Sequence, residues 1–178
     1  VTASGAVGTG LSNYSISYEN GVLNVTPADL VIAANNSSSV YGTTPTLDGY
    51  TTTGLVNGDT VSGVDVSTNA NSASGVGSYA ITASGANGTG LSNYNISYVN
   101  GTLNVTPADL IIAANNSSSV YGQAATLNGY TTSGLVNGDT VSDVNVSTNA
   151  NSASGVGNYS ITASGANGTG LSNYNISY

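Results

Sequence analysis

Apolar and polar residues alternate strictly along Tyr14-Ser15-Ile16-Ser17-Tyr18 and again along Leu23-Asn24-Val25. Such alternation predicts strands with one face on a core. Asn20-Gly21 lies between them. Asn-Gly is a favoured two-residue hairpin turn, so the pair predicts a β-hairpin. Thr26-Pro27 ends the ladder, because Pro has no N–H to donate. Leu30-Val31-Ile32 is a continuous apolar run and predicts a strand buried on both faces. Asn35 to Ser39 reads as a polar loop, and Gly54 to Val61 as a turn. Val64-Asp65-Val66 and Tyr79-Ala80-Ile81-Thr82-Ala83 alternate once more. No segment holds a helical period over about ten residues, so the chain reads as mostly β.

The pattern then repeats. Val1-Thr2-Ala3-Ser4-Gly5 returns as Ile81-Thr82-Ala83-Ser84-Gly85 and as Ile161-Thr162-Ala163-Ser164-Gly165, a period of 80 residues. Residues 1–80 and 81–160 are identical at 65 of 80 positions, and 161–178 match 81–98 without a change. A unit of this length is a small domain rather than a solenoid coil. The fold class expected is a tandem array of ~80-residue β-rich modules forming an elongated rod or filament. Residues 1–80 hold eleven Val, two Ile, five Leu and five Tyr, a thin core for a unit standing alone. Neighbours are therefore expected to share an interface at Val25-Thr26-Pro27-Ala28 and its repeat at Val105 to Ala108. No Gly/Ser linker separates the units, which predicts a stiff array.

Composition removes most functions. The chain has no Lys, Arg, His, Cys, Met, Trp or Phe, and its formal charge is −8. Nothing can neutralise phosphates, so nucleic acid is not expected as a partner. Without His, Cys or Lys, the commonest general base, the thiol nucleophile, soft-metal ligands and Schiff-base chemistry are all missing. A Ser-based triad lacks its base. The only Glu, Glu19, becomes Val99 one period later, which argues against a carboxylate pair for glycoside hydrolysis. Apolar runs are too short to cross a bilayer, so no membrane insertion is expected.

The quoted segments resemble a known family. Leu23-Asn24-Val25-Thr26-Pro27-Ala28-Asp29-Leu30, Val40-Tyr41-Gly42, Gly54-Leu55-Val56-Asn57-Gly58-Asp59 and Val76-Gly77-Ser78-Tyr79, with their copies at 103–110, 120–122, 134–139 and 156–159, are similar to the MBG ("mostly beta-grasp") repeat. That repeat occurs in large secreted bacterial adhesins, including filamentous-haemagglutinin-like exoproteins. The resemblance implies β-grasp-like modules, secretion to the bacterial cell surface and no catalytic residues. Its phasing gives residues 1–26 as the C-terminal part of a preceding repeat, 27–106 as a complete repeat, and 107–178 as a repeat lacking its last strand.

The expected role is thus a non-enzymatic structural repeat of an extracellular adhesin or surface filament, a stalk or fibre for adhesion and biofilm matrix. The expected partners are other modules or copies of itself, and glycans or cell surfaces. Inter-chain or inter-module contact is expected at Val25, Pro27, Val105 and Pro107, and at Tyr174, Ile176 and Tyr178, where a final hairpin lacks its partner. No cofactor is expected. Weak calcium candidates are Asp59, Asp65, Asp139 and Asp143, although their spacing matches neither an EF-hand nor a G-G-x-G-x-D β-roll, and the plainer reading makes Asp29 and Asp59 turn or cap residues that bond local backbone. The alternative function is a carbohydrate-binding module acting by avidity, with Tyr50 and Tyr130, placed in loops, as exposed contacts.

Overall fold

The computed structural model describes residues 1–178. The first complete repeat holds β1 (Ala28–Ala34), β2 (Ser37–Val40), β3 (Tyr50–Thr53), β4 (Thr60–Thr68), β5 (Gly77–Thr89), β6 (Tyr94–Val99) and β7 (Gly101–Thr106). The second holds β8 (Ala108–Ala114), β9 (Tyr130–Ser133), β10 (Thr140–Thr148), β11 (Ile161–Thr169) and β12 (Tyr174–Ser177). The only helical residues are single 3-10 turns at Leu11–Asn13, Leu91–Asn93 and Leu171–Asn173. The protein is therefore mostly β, as its alternation implies.

In the first repeat, β1 is the centre of a three-stranded sheet, antiparallel to β3 and parallel to β6. A four-stranded sheet has the order β2-β7-β5-β4, with β2 parallel to β7 and the other pairs antiparallel. The second repeat forms the same β12-β8-β9 sheet, but only β10 and β11 of the other.

The hairpin expected at Asn-Gly does not form. β6 and β7 run in different sheets. Neither Asn100 nor Gly101 has the positive φ that a type I′ turn needs. Leu103 and Val105 drive β7 into the core of the four-stranded sheet, where both are buried. A Cβ on Gly101 would stand 2.6 Å from the carbonyl oxygens of Ala34 and Asn35, so glycine here permits close backbone approach. The left-handed Asn-Gly pair lies elsewhere. Asn57 and Gly58 have φ of 57° and 78°, and the Asp59 amide donates to the Val56 carbonyl at 3.0 Å.

Two other strand expectations change. Leu30 and Ile32 are fully buried but Val31 is exposed, because the core packs on one side of that sheet only. Ser37–Val40, expected as part of a polar loop, is strand β2 because β7 supplies its ladder. The identical residues 117–120 are irregular, with no strand beside them. Tyr14 to Tyr18 and Val22 to Thr26 likewise lie outside any sheet, although their copies are β6 and β7. β-Propensity alone does not hold a strand without a partner.

Tyr174–Ser177 is an edge strand, β12, with one side bare, but so is its copy β6 in the first repeat. β12 pairs with β8 just as β6 pairs with β1, and neither has a further neighbour in its sheet. In the first repeat β7 pairs with residues 37–40 on one side and 77–81 on the other; residues 117–120 and 157–160 have no strand between them.

Only 16 of 178 residues are buried, so each repeat has a thin core of its own. One apolar cluster crosses the junction. It joins Ile81, Leu103 and Val105 of the first repeat to Ala108, Leu110, Ile112, Val144 and Tyr174 of the second. A smaller cluster of Leu30, Ile32 and Tyr94 serves the first repeat alone.

Candidate functional site: the joint between repeats

Polar side chains of both repeats meet at the joint between them. It is built on the Val136-Asn137-Gly138-Asp139 turn. Asn137 and Gly138 are left-handed, with φ of 55° and 77°, and the Asp139 amide donates to the Val136 carbonyl at 2.9 Å. This geometry turns the Asp139 carboxylate and the Val136 amide toward Tyr174. The Tyr174 hydroxyl accepts from the Val136 amide at 2.9 Å and donates to Asp139 Oδ2 at 2.9 Å. Tyr174 is placed by the 3-10 turn Leu171–Asn173, which ends as β12 begins. The first repeat builds the same socket from Val56, Asp59 and Tyr94.

A Tyr-Gly pair from the first repeat fills the second socket. The Tyr41 hydroxyl donates to the same Asp139 Oδ2 at 2.9 Å. Its ring meets Tyr174 edge to face, a favoured aromatic geometry, with centroids 5.5 Å apart. The Tyr41 amide is anchored on the Thr106 carbonyl at the end of β7. Gly42 follows in a left-handed conformation, φ 88°, and a Cβ there would lie 2.5 Å from Val136 Cγ2. Around the rim, Asn137 Nδ2 donates to the Ser72 carbonyl at 2.9 Å, and the Val76 amide donates to Asn173 Oδ1 at 2.9 Å. The Tyr41 and Tyr174 bonds to the Asp139 carboxylate are charge-assisted, the stronger class of hydrogen bond. Burial raises the Tyr174 hydroxyl above its usual value of 10.0; the Asp139 bond and charge add to this, against a lowering by the Val136 amide.

Each repeat carries both halves of this joint. Tyr41 is 6% exposed, whereas its copy Tyr121 is 70% exposed. The Val56–Asp59 and Tyr94 socket likewise receives no plug within residues 1–178.

The contact residues expected from the sequence divide. Tyr174 is in the joint, and Ile176 packs against the cluster that crosses the junction. The Tyr178 hydroxyl accepts from the Ala166 amide at 2.9 Å, inside its own repeat. Val105 is buried and Pro107 half-buried where β7 passes into β8. Val25 and Pro27 are exposed. Tyr50 and Tyr130 begin β3 and β9 rather than standing in loops; both are half-buried, and the Tyr130 hydroxyl donates to the Val141 carbonyl at 3.3 Å. The calcium candidates Asp59, Asp65, Asp139 and Asp143 are not gathered, since no three carboxylates come together. Asp59 and Asp139 direct an oxygen to tyrosine instead.

The sequence did mark Tyr41-Gly42 and the Val-Asn-Gly-Asp turn as motifs. It did not reveal that they meet, because 98 residues separate Tyr41 from Asp139.

No curated protein and no solved structure matches the chain. The family model of the MBG domain (YGX type) matches twice, over residues 30–104 and 110–178. With its two Tyr-Gly pairs inside those matches, the chain belongs to the MBG domain (YGX type) family, of which it carries tandem copies.

Proposed function

We propose that the chain is a non-catalytic structural stretch of a long extracellular bacterial protein, whose repeats form a stiff stalk or fibre for adhesion or matrix cohesion. The observation that carries this reading is the joint. A shared apolar cluster and a Tyr41–Asp139–Tyr174 contact couple consecutive repeats with no flexible linker between them. The absence of Lys and Arg suits an exposed fibre, because trypsin-like proteases find no cleavage site. The charge of −8 keeps neighbouring fibres apart in solution.

Small-angle scattering on the dilute, monomeric chain tests this. Two repeats set end to end, with a maximum dimension close to twice that of one repeat, are expected. A folded-back pair, or a distribution of bend angles as broad as that of beads on a linker, overturns it.

A further inference from the structure

Tyrosine is the only readily oxidised side chain this protein has. There are twelve, with no Cys, Met, Trp or His to compete for an oxidant. The same composition leaves no disulfide and no lysine amide as a covalent tie between repeats. Of the twelve, only Tyr41, Tyr94 and Tyr174 donate to a carboxylate, and only Tyr41 and Tyr174 share one.

The shared carboxylate matters because a phenol that loses an electron becomes a strong acid and must release its proton. A buried ring with no acceptor resists oxidation, since it would hold a cation in an apolar site. Asp139 Oδ2 stands 2.9 Å from both hydroxyls, within reach for direct proton transfer. Asp139 is itself half-buried, which gives the proton a way out to water. Other tyrosines face weaker bases. Tyr79 and Tyr159 donate to the Gly75 and Gly155 carbonyls, and Tyr130 to the Val141 carbonyl.

The two rings are also placed to react with each other. Their centroids are 5.5 Å apart, and both hydroxyls converge on one oxygen. Tyr41 is 6% exposed and Tyr174 8% exposed, so radicals formed there are shielded from other chains. Coupling needs the rings to slide from edge-to-face contact until the carbons beside the hydroxyls touch, a side-chain motion within the joint.

We propose that Tyr41 and Tyr174 are the site of an oxidative carbon–carbon cross-link that locks one repeat to the next, with Asp139 as proton acceptor and a peroxide as oxidant. Each phenol loses one electron to the oxidant and its hydroxyl proton through Asp139. The two phenoxyl radicals join through the ring carbons beside their oxygens. Each of those carbons gives up its hydrogen as a proton, and each oxygen regains one. The net loss is two hydrogen atoms, which one hydrogen peroxide takes up as it becomes two waters. The inference rests on the joint alone and does not need the stalk role.

Hydrogen peroxide with a small haem catalyst, applied to the dilute folded chain, tests this. A protease that cuts before Asp frees residues 29–47, whose only tyrosine is Tyr41, and residues 143–178, which hold Tyr174. These peptides are expected as one fluorescent species two hydrogens lighter than their sum, with the bond at Tyr174 on fragmentation. The oxidised chain is expected to melt at a higher temperature, because a tie between distant residues constrains the unfolded state. Tyr41→Phe and Tyr174→Phe keep the rings and are each expected to abolish the joined species, whereas Tyr121→Phe leaves it. Oxidation in urea is expected to scatter the coupling over other tyrosines. Tyr41 and Tyr174 recovered uncoupled, or a joined species that survives Tyr41→Phe or forms equally in urea, overturns the inference.

Discussion

Tyr41 and Tyr174 come from different repeats, meet edge to face at 86°, and donate to the same oxygen of Asp139. In a chain without a single cationic side chain, that carboxylate is held by hydroxyls. The joint is thus built from the only hydrogen-bonding aromatic the sequence contains.

Tyr41→Phe removes one of these bonds and keeps the ring. The expected loss is about 1.5 kcal/mol, the scale of a hydrogen bond to a charged group. Tyr121→Phe, whose hydroxyl has no partner, is expected to change stability by less than about 0.5 kcal/mol. Urea unfolding of both variants in the monomeric chain measures the difference. Equal effects would show that the joint contributes nothing.

Gly42 and Gly122 share a left-handed backbone, with φ of 88° and 86°, but only Gly42 abuts Val136. Alanine at either position meets the αL cost of about 1–2 kcal/mol. Gly42→Ala is expected to cost roughly a further 1–3 kcal/mol from overpacking. Adding Val136→Ala should recover part of that excess. Thermal melts of the three variants decide it; no recovery would place the clash elsewhere.

The raised hydroxyl of Tyr174 makes stability pH-dependent on the alkaline side. Its folded form keeps the proton at pH values where the unfolded form, near 10.0, has begun to lose it. The stabilisation is complete below the unfolded value and is lost as pH rises through the folded one. The melting temperature should therefore fall above about pH 10. Tyr174→Phe should fall less steeply over the same range. Parallel curves for the two proteins would exclude this residue as the source.

Leu103 and Leu23 occupy the same position of the repeat, one fully buried and one exposed. Leu103→Ala is expected to cost about 2–5 kcal/mol. Leu23→Ala in the monomer should stay within about 0.5 kcal/mol of the parent. Amide exchange adds a second readout: residues 103–105 should be protected and residues 23–25 should exchange freely at low concentration. Protection of both segments in a verified monomer would contradict the structure.

By itself the sequence determined the β class, the 80-residue period, the thin core and the lack of any cationic side chain. Each follows from local alternation, self-similarity or composition. It also marked the turn at Val136–Asp139 and the Tyr-Gly pair, because Asn-Gly and left-handed glycines act within a few residues. Only the tertiary structure decided which strands pair. Ser37–Val40 is a strand and Ser117 to Val120 is not, although the residues are the same, because a ladder needs a neighbour with its own N–H and C=O groups to share. The same reason sends Leu103 into a core and leaves Leu23 in water. It also joins Tyr41 to Asp139 across 98 residues, a meeting set by how two repeats pack rather than by anything either segment encodes alone.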